Sequence, residues 1–155
     1  MLRAFQVFLG LFGATIILIC LLHLVLGPAS IPGSVPVNAT MDSEDRFYGT
    51  LFGAYGLAVL SCIKDVERKG DLLHFLLAAF FACGVARLVS MAATGLPHPL
   101  FMFLTVLELA IPPLAALAHR RIVRFSVPPG GVAPSALRAS EASVPRTSTT
   151  TSRAL

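Results

Sequence analysis

The chain has 155 residues, 55% of them apolar and only 13% charged, with a formal net charge of +4 and a mean hydropathy of +0.80. One domain's length at that composition excludes a soluble domain and indicates a membrane protein. The basic balance does not mark a nucleic-acid binder: every basic residue except Arg46 and Arg87 flanks an apolar run or lies in the polar C-terminal stretch, which is a membrane-topology pattern.

The first apolar run, residues 4–26, would make a helix about 34 Å long, enough to cross a bilayer. Arg3 ahead of it also suits a cleaved signal peptide, but the apolar stretch is about twice the usual length, so a retained first helix is expected. Gly27-Pro28 ends the run, and a Pro/Gly/Ser-rich loop follows to Thr40. The second helix is expected at about 47–63, directly after the charged stretch "MDSEDR" (41–46). Asp42 or Ser43 can cap it by accepting backbone N–H groups, and carboxylates in a first turn favour the helix dipole. Capping does not explain three carboxylates with Arg46 among them. On a helix, Glu44, Tyr48 and Tyr55 share one stripe at spacings of four and seven, a polar track leading inward. "GTLFG" (49–53) has the GxxxG spacing of close-packed membrane helices, and Gly56 extends the small face; packing within the bundle is preferred over a dimer seam.

"KDVERKGD" (64–71) is a charged, solvated loop leading to a third helix at 72–94. "GLPHP" (95–99) turns the chain into a fourth helix at about 100–118, where Pro112-Pro113 should kink or locally unwind the backbone. Arg87 and Glu108 are the most informative residues. Each is ionisable inside an apolar helix, where such groups are costly and face the bundle interior. The 95–99 turn lies almost midway between them, so they sit at similar depth and can pair across the hairpin. Such a pair either fixes helix register or floors a ligand site, and both readings stay open. Ser90 shares a face with Arg87, and Thr105 with Glu108. From residue 121 the chain is rich in Pro, Ser, Thr and Ala and cannot bury enough apolar surface to order itself, so it reads as a disordered tail. The expected domains are thus 1–120 and 121–155.

With the N-terminus inside, Arg3, the 64–71 loop and the tail carry the basic residues, so both termini are expected to be cytoplasmic and the acidic cluster to face outward. Cys20, Cys62 and Cys83 lie in apolar runs and read as buried small side chains. His23 and His98 fall on the outward side and His74 on the cytoplasmic one. No spacing suits a metal, and no phosphate loop, nucleophile elbow or cofactor motif occurs, so neither metal nor cofactor is expected.

"DSEDRFYGTLFGAYGL" (42–57), "ARLVSMAATGLPHPLF" (86–101) and "LELAIPP" (107–113) resemble the domain of unknown function 4345 family, small four-helix bacterial membrane proteins. The resemblance covers roughly residues 5–122 and omits the tail. It implies the fold and not a mechanism, since the family carries no established activity. It puts Asp42, Ser43, Glu44, Arg46, Phe47, Tyr48, Arg87, Ser90, Pro97 and Glu108 on the pattern-bearing positions.

The expectation is therefore an all-α, four-transmembrane-helix bundle in the bacterial cytoplasmic membrane, with a polar pocket opening outward. Asp42, Ser43, Glu44, Arg46, Tyr48, Tyr55, Arg87, Ser90 and Glu108 are its candidate ligand-binding residues. The expected role is binding a small amphipathic or lipid-like molecule or supporting a membrane complex, with the bilayer, such a ligand, and a second copy or complex subunit as partners. Two alternatives remain: a membrane-embedded isomerase or hydrolase using Glu44 or Glu108 as acid/base, and a purely structural assembly subunit.

Overall fold

Long runs of Leu, Ile, Phe and Ala favour helix until a residue forces the backbone out of it, and two glycines do this here. Gly27 (φ +58°) ends the first helix and Gly95 (φ +95°) the third, both in left-handed conformations that side chains resist. A computed structural model describes residues 1–126 of the chain. They form four helices in up-down-up-down order: α1 (Leu2–Leu26), α2 (Ala39–Ser61), α3 (Gly70–Thr94) and α4 (Pro99–Ser126). A single 3-10 turn, Gly27–Ser30, follows α1, and no strand occurs among the described residues. Residues 127–155, most of the expected tail, lie outside the described residues.

α2 begins eight residues before the expected Phe47, because Asn38 and not Asp42 or Ser43 is the cap: its side chain accepts from the Met41 N–H at 3.0 Å. The charged stretch therefore forms the first two turns of α2 instead of preceding it. α4 runs past the expected end at 118, through Arg121 to Ser126. Its last turns are amphipathic, burying His119 and Ile122 while arginines occupy the dipole-favoured end. Helical structure is continuous through Pro112 and Pro113, so the expected local unwinding is absent. These prolines still withhold the N–H groups that the carbonyls of Glu108 and Leu109 would otherwise accept.

α1, α3 and α4 are long and apolar enough to cross a membrane. α2 is the exception to the expected four, because its first turns carry Asp42, Glu44, Asp45 and Arg46. The remaining residues 47–61 extend about 22 Å. The outward faces hold exposed Val7, Leu11, Phe75, Val89, Val106 and Leu114, side chains suited to lipid and costly in water.

α1 and α2 pack through glycines. Gly49, Gly53 and Gly56 meet His23, Cys20 and Ile16 in turn, an antiparallel register, and Gly13 of α1 meets Gly56. The GxxxG face is thus spent inside the chain. The main apolar cluster lies at the end bearing Met1 and the 62–69 turn, around Phe5, Leu9, Val59, Cys62, Leu73 and Leu77. That turn is not simply solvated. Val66 is 2% exposed within the cluster, Gln6 Nε2 donates to the Ile63 carbonyl at 2.8 Å, and Lys69 Nζ to the Ser61 carbonyl at 2.7 Å.

Candidate functional site: a polar cavity between the helices

Arg87 lies seven residues before the end of α3 and Glu108 nine after the start of α4, so antiparallel packing sets them at one depth. They pair: Arg87 Nε donates to both Glu108 oxygens, at 3.0 and 2.8 Å. The helices approach closely because Gly84 faces Leu109 and the Cβ of Glu108. The Arg87 guanidinium also lies 5.4 Å from the centre of the Phe101 ring. Glu108 is 5% exposed, whereas the Arg87 side chain is 37% exposed. Its terminal nitrogens, Nη1 and Nη2, have no hydrogen-bond partner among the described residues. Four N–H donors are left over beside an apolar wall.

A second pair stands across the bundle. His23, near the end of α1, places Nδ1 3.0 Å from each carboxylate oxygen of Asp45 in α2. Next to Asp45, Arg46 holds Asp42, one turn nearer the start of α2, through Nε at 2.8 Å and Nη2 at 3.1 Å, and its Nη1 donates to the Leu24 carbonyl. A cation thereby satisfies an orphan carbonyl at the C-terminus of α1. The hydrogen bond from Arg46 holds the Asp42 carboxyl below its ordinary range.

Between the two pairs is a cavity of about 420 Å³. Arg87, Glu108, His23, Asp45 and Tyr48 supply its polar edge, while Phe12, Phe52, Phe80 and Phe101 dominate the apolar wall. The candidate residues divide accordingly. Arg87, Glu108 and Tyr48 line the cavity. Asp42 lies instead beside a separate hollow with Ser34 and Pro36, and Arg46 caps α1. Ser43, Glu44 and Ser90 are exposed and do not line it. Tyr55 lines a neighbouring hollow, its hydroxyl donating to the Leu76 carbonyl at 2.8 Å, so it braces α2 on α3. The polar track from Glu44 to Tyr55 thus does not run along the cavity, since of its three residues only Tyr48 lines it. Cys83, expected to be buried, is exposed and lines the cavity.

Three participants were not among the candidates: His23, Asp45 and Cys83. For His23 and Asp45 the signal was the glycine stripe. Asp45 stands one turn before Gly49 on the α1-facing edge, and His23 one turn beyond Cys20 on the facing edge of α1.

At the opposite end, His119 is 3% exposed. Its Nε2 donates to the Val66 carbonyl at 2.8 Å, and its ring meets His74 edge-on with centres 5.0 Å apart. His74 is anchored through Nδ1 to the Gly70 carbonyl at 2.7 Å. Among the described residues no group of three or more His, Cys, Asp or Glu side chains is placed to hold a metal ion.

The domain of unknown function family DUF4345 matches residues 4–119, and the chain belongs to that family. No curated protein and no solved structure matches the chain.

Proposed function

We propose that the protein is a multi-pass resident of the bacterial cytoplasmic membrane that holds one small amphipathic or lipid-like molecule between its helices. The ligand's polar head accepts hydrogen bonds from Arg87, and its apolar body lies along the phenylalanine wall. The observation that carries this reading is Arg87, which lines the cavity with its Nε bound to Glu108 and its two terminal nitrogens without a hydrogen-bond partner among the described residues. Unmet donors are costly in such surroundings, and an acceptor on a ligand relieves them. The volume of about 420 Å³ suits a ligand of ordinary metabolite size. Glu108 balances the charge of Arg87, and Asp45 adds a carboxylate at the cavity's edge, which favours a neutral or weakly polar head over a phosphate.

The basic residues support the orientation. Arg3, Lys64, Arg68, Lys69, Arg120 and Arg121 belong to the end away from the cavity, which favours a cytoplasmic position for that end and an outer-side position for the cavity.

Native mass spectrometry of protein released from its own membranes tests the reading. Wild type should carry a bound small molecule. The double variant Arg87→Met/Glu108→Leu, which removes both charges together, should fold and lose it. An empty wild type, or equal occupancy in both, would contradict the proposal and leave an assembly role.

A further inference from the structure

Resting on that binding reading, we infer that the cavity also moves a proton: His23 is the base and Arg87 the oxyanion donor for the isomerisation of an amphipathic β,γ-unsaturated ketone. A carboxylate can only accept, so Nδ1 of His23, 3.0 Å from both Asp45 oxygens, carries the ring proton. Neutral His23 then has its lone pair on Nε2, which has no hydrogen-bond partner among the described residues. His23 and Arg87 line the same cavity from different helices. Each group is fixed by its own carboxylate, His23 by Asp45 and Arg87 by Glu108, and each keeps nitrogen without a hydrogen-bond partner among the described residues.

Acyl transfer is a poorer fit. It needs an activated nucleophile, and Thr15 on the cavity wall donates its hydroxyl to the Leu11 carbonyl at 2.9 Å, while no hydrogen bond joins Cys83 to His23. Enolisation needs only a base and a donor for the developing oxyanion. His23 Nε2 takes the proton from the carbon between carbonyl and alkene, and the C–H electron pair forms the dienolate. Its negative oxygen accepts Arg87 N–H bonds. The imidazolium returns the proton to the γ carbon and the double bond comes into conjugation. No oxidant, reductant or water is consumed, and the protein ends as it began. Asp45 is a positioning residue and does not touch the substrate. Glu44 is away from the cavity and Glu108 is engaged by Arg87, so the acid/base role passes from those carboxylates to His23.

The test uses purified full-length protein in micelles prepared in D₂O with a long-chain alkyl β,γ-unsaturated ketone. Binding is read by native mass spectrometry, and turnover by deuterium uptake and conjugation of the ketone. Wild type should bind the ketone and accelerate exchange over empty micelles. His23→Gln should keep binding while exchange falls by about 100-fold or more. Asp45→Asn should lower exchange without loss of binding, and Asp45→Glu should recover part of it. Bound ketone that exchanges no faster than in empty micelles overturns the proton transfer but not the binding reading. Undiminished exchange in both His23→Gln and Asp45→Asn does the same. A wild type that does not bind the ketone overturns this inference, and the binding reading falls with it only if the cavity is also empty in protein from native membranes.

Discussion

Arg87 and Glu108 pair through one nitrogen, and the two residues are unequally placed. Glu108 is 5% exposed, while the Arg87 side chain is 37% exposed and opens on the cavity. Removing Arg87 strands a buried carboxylate; removing Glu108 leaves a cation that can still reach polar atoms at the cavity edge. Arg87→Met should therefore destabilise by about 3–5 kcal/mol, and Glu108→Leu by less. The double variant should recover much of the loss, whereas Glu44→Ala should be nearly neutral because that side chain is exposed. Thermal unfolding in detergent reads the cycle; additive losses at the two positions would deny the pair. This pair was legible in the sequence because an ionisable group in an apolar run needs a partner, and one turn placed both at equal depth. The His23–Asp45 pair was not, since each residue has an ordinary explanation alone. A histidine near a helix end and a carboxylate in a first turn predict nothing until the α1–α2 register is known.

The helices meet through small residues, and α2 shows both what the sequence carries and what it conceals. Its glycine stripe was evident from spacing, but spacing does not name the partner, and the stripe serves α1 of the same chain. A Cβ on Gly56 would come within 2.9 Å of Ile16 Cγ2 and 3.1 Å of the Gly13 carbonyl oxygen. Gly10, by contrast, would bring a Cβ only to 3.7 Å from Ile63. Gly56→Val should thus cost about 1–3 kcal/mol by overpacking and shift His23 relative to Asp45, while Gly10→Ala should fold like wild type. Equal unfolding temperatures for the two variants would mean that the α1–α2 seam is looser than this register requires. The start of α2 is hidden in the sequence because hydropathy marks only its apolar portion. Asn38 caps the helix nine residues before the apolar run begins at Phe47, and the charged turns between them belong to the helix. Those turns answer their own puzzle. Arg46 closes α1, Asp42 orients Arg46, and Asp45 holds His23.

Across the described residues, buried polar side chains gather at two levels inside an apolar exterior. The His74–His119 contact and the backbone ties of the 62–69 turn secure one end. Toward the other end the helices leave a cavity bounded by two acid–base pairs. Composition sufficed for the helical class and for the membrane-compatible exterior. It could not show the cavity, which depends on where α1 and α2 sit against the α3–α4 hairpin. The central claim is that a lipid-like molecule enters this interior space, as distinct from coating the outer apolar faces. An amphipathic ketone carrying a photoreactive diazirine on its chain, activated in reconstituted vesicles and mapped by peptide mass spectrometry, tests it most directly. Labelling should concentrate on cavity residues such as Phe52, Cys83 and Leu104 and fall sharply in Arg87→Met/Glu108→Leu. Labels confined to lipid-facing residues such as Phe75, Val89 and Val106, and unchanged in that variant, would contradict the account.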